Sequence, residues 1–129
     1  MTPTPNPRYT LVKKARRQMA EYPVATIAYH GPDHLFASKV VVGIILTEKD
    51  EVAAEFKEWF SSGVDVRQDV SISQEILKFI QEKGAKRVTM VDRIIGCPHE
   101  EGIDYPEGEA CPQCPYWENR DRWTGELLK

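Results

Sequence analysis

The residues with the most distinctive types and spacing lie near the C-terminal end of the 129-residue chain. Cys97 and His99 form a C-x-H pair, and after eleven further residues Cys111 and Cys114 form a C-x-x-C pair. Thiolate and imidazole are the ligands that zinc prefers, and a structural zinc takes four of them in a tetrahedron. All three cysteines of the chain lie in this segment. The spacing therefore predicts one structural Zn²⁺ site with the ligands Cys97, His99, Cys111 and Cys114.

The C-x-x-C pair, Cys111-Pro112-Gln113-Cys114, resembles the knuckle of zinc-ribbon proteins. The resemblance extends over residues 97–114 only, where a C-x-H pair stands in place of the ribbon's usual other C-x-x-C pair. The resemblance implies a metal-binding turn. Independently of it, the prolines between and after the ligands stiffen the turns and so lower the entropy lost when a metal binds. No family is recognised across the whole chain.

Two other chemistries share parts of this pattern. The C-P-x-C sequence also resembles the redox pair of glutaredoxins, in which a helix N-terminus lowers the thiol pKa. His99 and Glu101, followed by the C-x-x-C pair, resemble the H-x-E and P-C-x-x-C pattern of zinc deaminases. Only nine residues separate Glu101 from Cys111, too few for the strand that divides the two halves in deaminases. Because four protein ligands leave no open position for water, we expect a structural site.

A small metal-dependent enzyme, a hydrolase or deaminase-like protein, is the main alternative. Its acid–base groups would be Asp92, Glu100 or Glu101, which are close to the metal ligands in sequence. Asp92 follows an apolar stretch over 88–91 and is predicted at a strand end, where the metal loop begins. His30 and His34 lie in a turn after an earlier strand. They can approach the zinc only if the strand before them, 24–29, runs parallel to the strand before the metal ligands, 88–91, because parallel strands end at the same side of a sheet.

Composition and charge limit the remaining possibilities. Hydrophobic residues make up 41% of the chain and charged residues 29%, as in an average soluble domain. No apolar run approaches the roughly 18 residues of a membrane span, and residues 1–7 have no apolar core of a secretion signal. We therefore expect a cytoplasmic protein. The net charge of −3 gives no general case for binding nucleic acid.

Two charged or aromatic segments suggest partners. The basic residues of the N-terminal segment make nucleic-acid binding through a predicted N-terminal helix the second alternative; they are Lys13, Lys14, Arg16 and Arg17. The C-terminal tail carries Trp117, Arg120, Arg122 and Trp123, residue types that are common in interfaces. This tail predicts either a protein partner or homo-oligomer, or a segment that folds back over the metal turn.

The elements that must position these residues follow from hydrophobic periodicity. The order is α-β-β-α-α-β, with helices over 9–22, 47–60 and 71–84 and strands over 24–29, 40–46 and 88–91. The fold class is therefore α+β or small α/β, with a mixed sheet of about three to four strands and three helices. Ser71 with Gln74 is the predicted cap of the last helix.

Proline positions predict the domain organisation. Three of the nine prolines lie within residues 1–7 and four within 98–115, so few fall between these segments. We expect a flexible leader over 1–7 and a single domain over 8–129. That domain consists of an α/β body, 8–95, and a zinc-binding C-terminal section, 96–129. The predicted function is a small zinc-stabilised binding or adaptor protein.

Overall fold

The structure is a computed structural model that describes residues 21–50 and 52–128. It has four strands and one α-helix, which we number β1 (Val24–His30), β2 (Lys39–Ile45), β3 (Glu55–Phe60), α1 (Val70–Glu82) and β4 (Arg87–Ile94). Two short 3-10 turns lie at Val66–Gln68 and Pro115–Trp117. Within the described ranges, no helix has the length and apolar character needed to cross a membrane.

The strands form one mixed sheet in the order β3-β2-β1-β4. The pairs β1–β2 and β2–β3 are antiparallel, and β1 and β4 are parallel. All seven residues of β2 are buried. A continuous β-branched run such as Val40-Val41-Val42 is typical of a strand that is covered on both faces. The three strands predicted over 24–29, 40–46 and 88–91 are confirmed.

One face of the sheet packs against α1. The main core includes alternate residues of β1 and β2, one residue of β3 and the apolar stripe of the helix: Ala25, Ile27, Val40, Val42, Ile44, Trp59, Ile72, Phe79 and Ile80. Asp69 begins α1 by accepting a hydrogen bond from the amide of Ile72 at 3.0 Å. The helix predicted over 71–84 is confirmed, whereas its cap is Asp69 and not Ser71.

The predicted class with three helices is wrong, because the described chain has one α-helix and the fold is a β-rich α+β fold. Of the stretch predicted as a helix over 47–60, residues 47–50 form a turn and Glu55–Phe60 form β3. The Asp50 carboxylate accepts the amides of Leu46 and Thr47, both at 3.1 Å, and so closes a turn. Trp59 and the other aromatic residues of this stretch also favour a strand. By pairing with β2, β3 satisfies the backbone N–H and C=O groups along the edge of β2 that β1 does not cover.

Two further predictions concern the N-terminal helix and the position of Asp92. The helix predicted over 9–22 lies outside the described residues, except for 21 and 22, which are not helical. β4 continues to Ile94, so Asp92 lies inside this strand and not at its end. The division of the chain into a leader, a body and a C-terminal section stays a prediction.

Candidate metal centre

The metal segment begins where β1 and β4 end together. Because these strands are parallel, the turn after β1 and the loop after β4 share one end of the sheet. The amide of Ile95 donates to the carbonyl of Tyr29 at 2.9 Å, and that of Gly31 donates to the carbonyl of Gly96 at 3.0 Å. His30 Nδ1 lies 2.9 Å from the Ile95 carbonyl oxygen. These contacts fix the position of the loop that carries Cys97 and His99.

The structure brings the four predicted ligands together. His99 Nδ1 lies 3.2 Å from Cys97 Sγ, 3.4 Å from Cys111 Sγ and 3.5 Å from Cys114 Sγ. The four ligand atoms all lie within 4.8 Å of one another, so the group could hold a metal ion. His99 Nδ1 carries at most one hydrogen, which can be donated to one sulfur. Hydrogen bonding therefore does not account for all three short distances between Nδ1 and the sulfur atoms. A tetrahedron with Zn–S of 2.3 Å and Zn–N of 2.0–2.1 Å has S···N edges of about 3.5 Å, close to these distances.

Local backbone geometry positions the sulfurs. The amide of His99 donates to Cys97 Sγ at 3.3 Å, which tightens the C-x-H pair. The amide of Cys114 donates to the Cys111 carbonyl at 3.3 Å, and the amide of Trp117 donates to the Cys114 carbonyl at 3.1 Å. Cys111 and Cys114 are buried, whereas Cys97 and His99 are half-buried. The C-x-x-C pair is therefore the more buried half of the ligand group.

The thiols lie where a lone negative charge is unfavourable. Burial raises the pKa of Cys97, and the amide of His99 offsets only part of this effect. Burial also raises the pKa of Cys114. The neighbouring Cys111 and Cys114 raise the pKa of Cys97 further. For Cys114, the hydrogen bond with Cys97 lowers the pKa, whereas the neighbouring Cys111 raises it because adjacent thiolates repel each other. A cation bound among the sulfurs would reverse this balance, because a coordinating thiol loses its proton.

The loop between the two pairs is closed by its own carboxylates. Glu101 Oε2 accepts the amide of Gly108 at 2.7 Å, and Asp104 Oδ2 accepts the amide of Glu100 at 2.7 Å. Glu101 is therefore engaged in shaping the loop that joins the two ligand pairs. Asp92, the third predicted acid–base residue, lies within β4.

A lysine that the sequence did not single out joins the sheet to the metal loop. Lys39 at the start of β2 is 5% exposed, and its ammonium donates to the Pro98 carbonyl at 3.0 Å. The ammonium also lies 3.6 Å from Glu58 Oε1. Pro98 lies between Cys97 and His99, so this bond holds the first ligand pair against the sheet. No sequence pattern marks Lys39, because a lysine before an apolar strand is common.

The two tryptophans of the C-terminal tail pack on the sheet of the same chain. Trp117 joins the main core, and its Nε1 donates to the Gly31 carbonyl at 2.8 Å. Trp123 packs with Ala28, Val91 and Ile95 on the other face of the sheet. The tail thus packs on its own chain, but Trp117 and Trp123 lie in two separate clusters on the sheet and not together over the turn that carries Cys111 and Cys114. A protein partner or homo-oligomer stays a prediction.

The two arginines predicted as interface residues and the two histidines outside the metal group contact other parts of the chain. Arg120 stacks on Tyr116, with its Cζ 4.3 Å from the ring centroid, and Arg122 lies against Gly96. The exposed His34 stacks on Tyr116 with ring centroids 4.9 Å apart. Neither His30 nor His34 belongs to the one metal-compatible group of the described residues. The basic residues proposed for nucleic acid, Lys13, Lys14, Arg16 and Arg17, lie outside the described residues.

Comparisons of the chain with protein-family models, with curated proteins and with solved structures found no match.

Proposed function

We propose that Cys97, His99, Cys111 and Cys114 hold a structural zinc ion that fixes the C-terminal section of a small binding protein to its sheet. The observation that carries this proposal is the convergence of three sulfurs on His99 Nδ1 at 3.2–3.5 Å. Zinc supplies the charge that three adjacent thiolates need and the folding energy that a loop lacks by itself.

The donor set supports zinc over other common cations. Thiolates are soft ligands, which calcium and magnesium avoid in favour of oxygen. Three sulfurs and one imidazole nitrogen match one of the usual structural zinc sets. With four protein ligands the site is closed, which supports a structural role because a catalytic zinc keeps a position for water or substrate.

Local structure also argues against a redox role for the C-x-x-C pair. Redox pairs of this kind depend on an α-helix N-terminus to lower the thiol pKa. Here Cys114 is followed by a three-residue 3-10 turn, and burial raises its pKa. A buried, neutral thiol is a poor nucleophile, so the pair is better suited to hold a metal. Reduced thiols fit our prediction of a cytoplasmic protein.

Metal analysis and spectroscopy test the zinc site. We expect one zinc per chain, and replacement by Co²⁺ should give the absorption bands of a tetrahedral site with sulfur ligands. Cys114→Ser and His99→Ala should each lower the zinc affinity at least tenfold and expose Trp117 to solvent, which tryptophan fluorescence reports.

His34→Ala is the matched control, because His34 is an exposed imidazole outside the metal group. It should keep the zinc content and the zinc affinity of the original chain. A folded protein without zinc, a disulfide among the three cysteines, or full zinc affinity in the His99→Ala variant would each contradict the proposal.

A further inference from the structure

The three cysteines of the metal centre differ in their exposure. Cys97 is half-buried, whereas Cys111 and Cys114 are buried. The ligand atoms of the group all lie within 4.8 Å of one another. Sulfurs this close need only small side-chain movements to reach the S–S distance of a disulfide, about 2.05 Å. Cys97 is therefore the sulfur that a small molecule in solvent reaches first, and two further sulfurs adjoin it.

A bound zinc ion would keep these sulfurs in their reactive form. A coordinating thiol loses its proton, and the thiolate, not the thiol, is the nucleophile that reacts with peroxides. Susceptibility to oxidation then follows exposure, and redox-sensing cysteines commonly stand beside a second cysteine that completes a disulfide. Cys97 has both features, because it is the half-buried sulfur of the group and Cys111 and Cys114 adjoin it.

The position of Cys97 in the metal loop decides what a disulfide would hold together. Cys97 belongs to the first ligand pair, which the Lys39 ammonium holds to the sheet by donating to the Pro98 carbonyl at 3.0 Å. Cys111 and Cys114 form the second pair, in a turn where the Cys114 amide donates to the Cys111 carbonyl at 3.3 Å. A disulfide from Cys97 to either of them joins the two pairs, as a zinc ion does. A disulfide within the second pair would leave the first pair unattached.

We propose that the metal centre is a peroxide-sensitive switch, in which oxidation of Cys97 leads to a disulfide with Cys111 or Cys114 and to release of the zinc ion. The inference rests on the proposed zinc site and adds the way in which that site is regulated. Oxidation exchanges one cross-link between the two ligand pairs for another, and it leaves His99 and one sulfur without the metal.

The two steps balance in atoms and electrons. The Cys97 thiolate attacks one oxygen of hydrogen peroxide, so that an S–O bond forms, the O–O bond breaks, and hydroxide leaves a sulfenic acid on Cys97. A thiolate of Cys111 or Cys114 then attacks that sulfur, so that the S–S bond forms, the S–O bond breaks, and a second hydroxide leaves. The two sulfurs lose two electrons in total, which the peroxide gains, and the buffer protonates both hydroxides. Zinc leaves because two of its four ligands are no longer thiolates.

Oxidation of the zinc-loaded full chain tests the switch. After the zinc content is measured, hydrogen peroxide is added at concentrations that oxidise free cysteine, and a chromogenic chelator records zinc release. The free thiols are then alkylated, and a glutamate-specific protease separates Cys97 from the second pair by cutting after Glu101 and Glu109. We expect one zinc released per chain, one alkylated thiol among the three, and a Cys97 peptide joined to the peptide that carries Cys111 and Cys114. Dithiothreitol with added zinc should reverse the change.

Two histidine variants identify the sulfur that reacts first. Cys97→His and Cys111→His each keep four nitrogen or sulfur ligands, and two cysteines with two histidines are also a usual structural zinc set. Cys97→His removes the half-buried sulfur, so zinc release under peroxide should be slower by about fivefold or more. Cys111→His is the matched control, because it keeps Cys97 and Cys114 and should release zinc at the rate of the original chain.

Equal rates of zinc release from the two variants would overturn the proposal, and so would a disulfide between Cys111 and Cys114 that leaves Cys97 free. If a variant holds no zinc, the peptide map of the original chain decides between these outcomes by itself. A chain that keeps its zinc and three free thiols under peroxide refutes the switch alone. A folded chain isolated without zinc refutes the zinc site as well, so the two failures are distinguishable.

Discussion

Replacing Gly31 with alanine is expected to destabilise the protein strongly, because Gly31 lies where three chain segments meet. Its amide donates to the Gly96 carbonyl at 3.0 Å, and its carbonyl accepts Trp117 Nε1 at 2.8 Å. A Cβ at this position would overlap the carbonyl oxygen of Phe36 and lie 2.9 Å from its carbonyl carbon. Carbon atoms that are not bonded pack at about 3.5–4.0 Å, so the backbone must move.

The size of the effect follows from what this movement breaks. Overpacking of a tight site costs about 1–3 kcal/mol. Losing one or both hydrogen bonds to Gly96 and Trp117 adds about 1 kcal/mol each. We therefore expect Gly31→Ala to lower the free energy of unfolding by about 2–5 kcal/mol.

Urea unfolding followed by tryptophan fluorescence measures this change, with Gly63→Ala as the matched control. A Cβ at Gly63 meets nothing within 4 Å, but its φ of +79° makes alanine strained there. The control should lose only about 1–2 kcal/mol. If Gly31→Ala is no less stable than Gly63→Ala, the close approach to Phe36 is not the constraint that we infer.

Two further changes test other contacts. Asp65 accepts hydrogen bonds from the Ala37 amide and from Arg67, whose guanidinium lowers the Asp65 pKa. A lowered folded-state pKa adds stability above the ordinary value of about 3.9 that is lost as pH falls below it. Asp65→Asn should thus reduce stability at pH 7 by about 1–3 kcal/mol and flatten its loss in acid, measured by thermal melts between pH 2 and 7; an unchanged acid limb would contradict this. Lys39→Met keeps the apolar stem but removes the bond to Pro98, and should cost about 1–3 kcal/mol in urea unfolding; an equal or higher stability would show that burying the ammonium costs more than its contacts return.

The helix prediction over 47–60 shows where local pattern was insufficient. Its apolar residues have helical spacing, but several are aromatic and suit a strand equally well. Pairing with β2 makes this stretch a strand, because residues Glu55–Phe60 form hydrogen bonds with the backbone groups along the edge of β2. Such pairing joins residues distant in sequence, so a short window cannot show it. By contrast, the stripe of α1 and the apolar run of β2 were predictable, because each repeats a period within one element.

The sequence by itself determined the candidate ligand set, because side-chain chemistry and close spacing are properties of a short segment. Only the tertiary structure decided that the three sulfurs meet one imidazole nitrogen, and that Lys39 and Gly31 hold the loop to the sheet. It also decided that the loops after β1 and β4 share one end of the sheet, since strand direction follows from the path of the whole chain. Contacts between distant segments form only when the chain packs, so no local pattern encodes them.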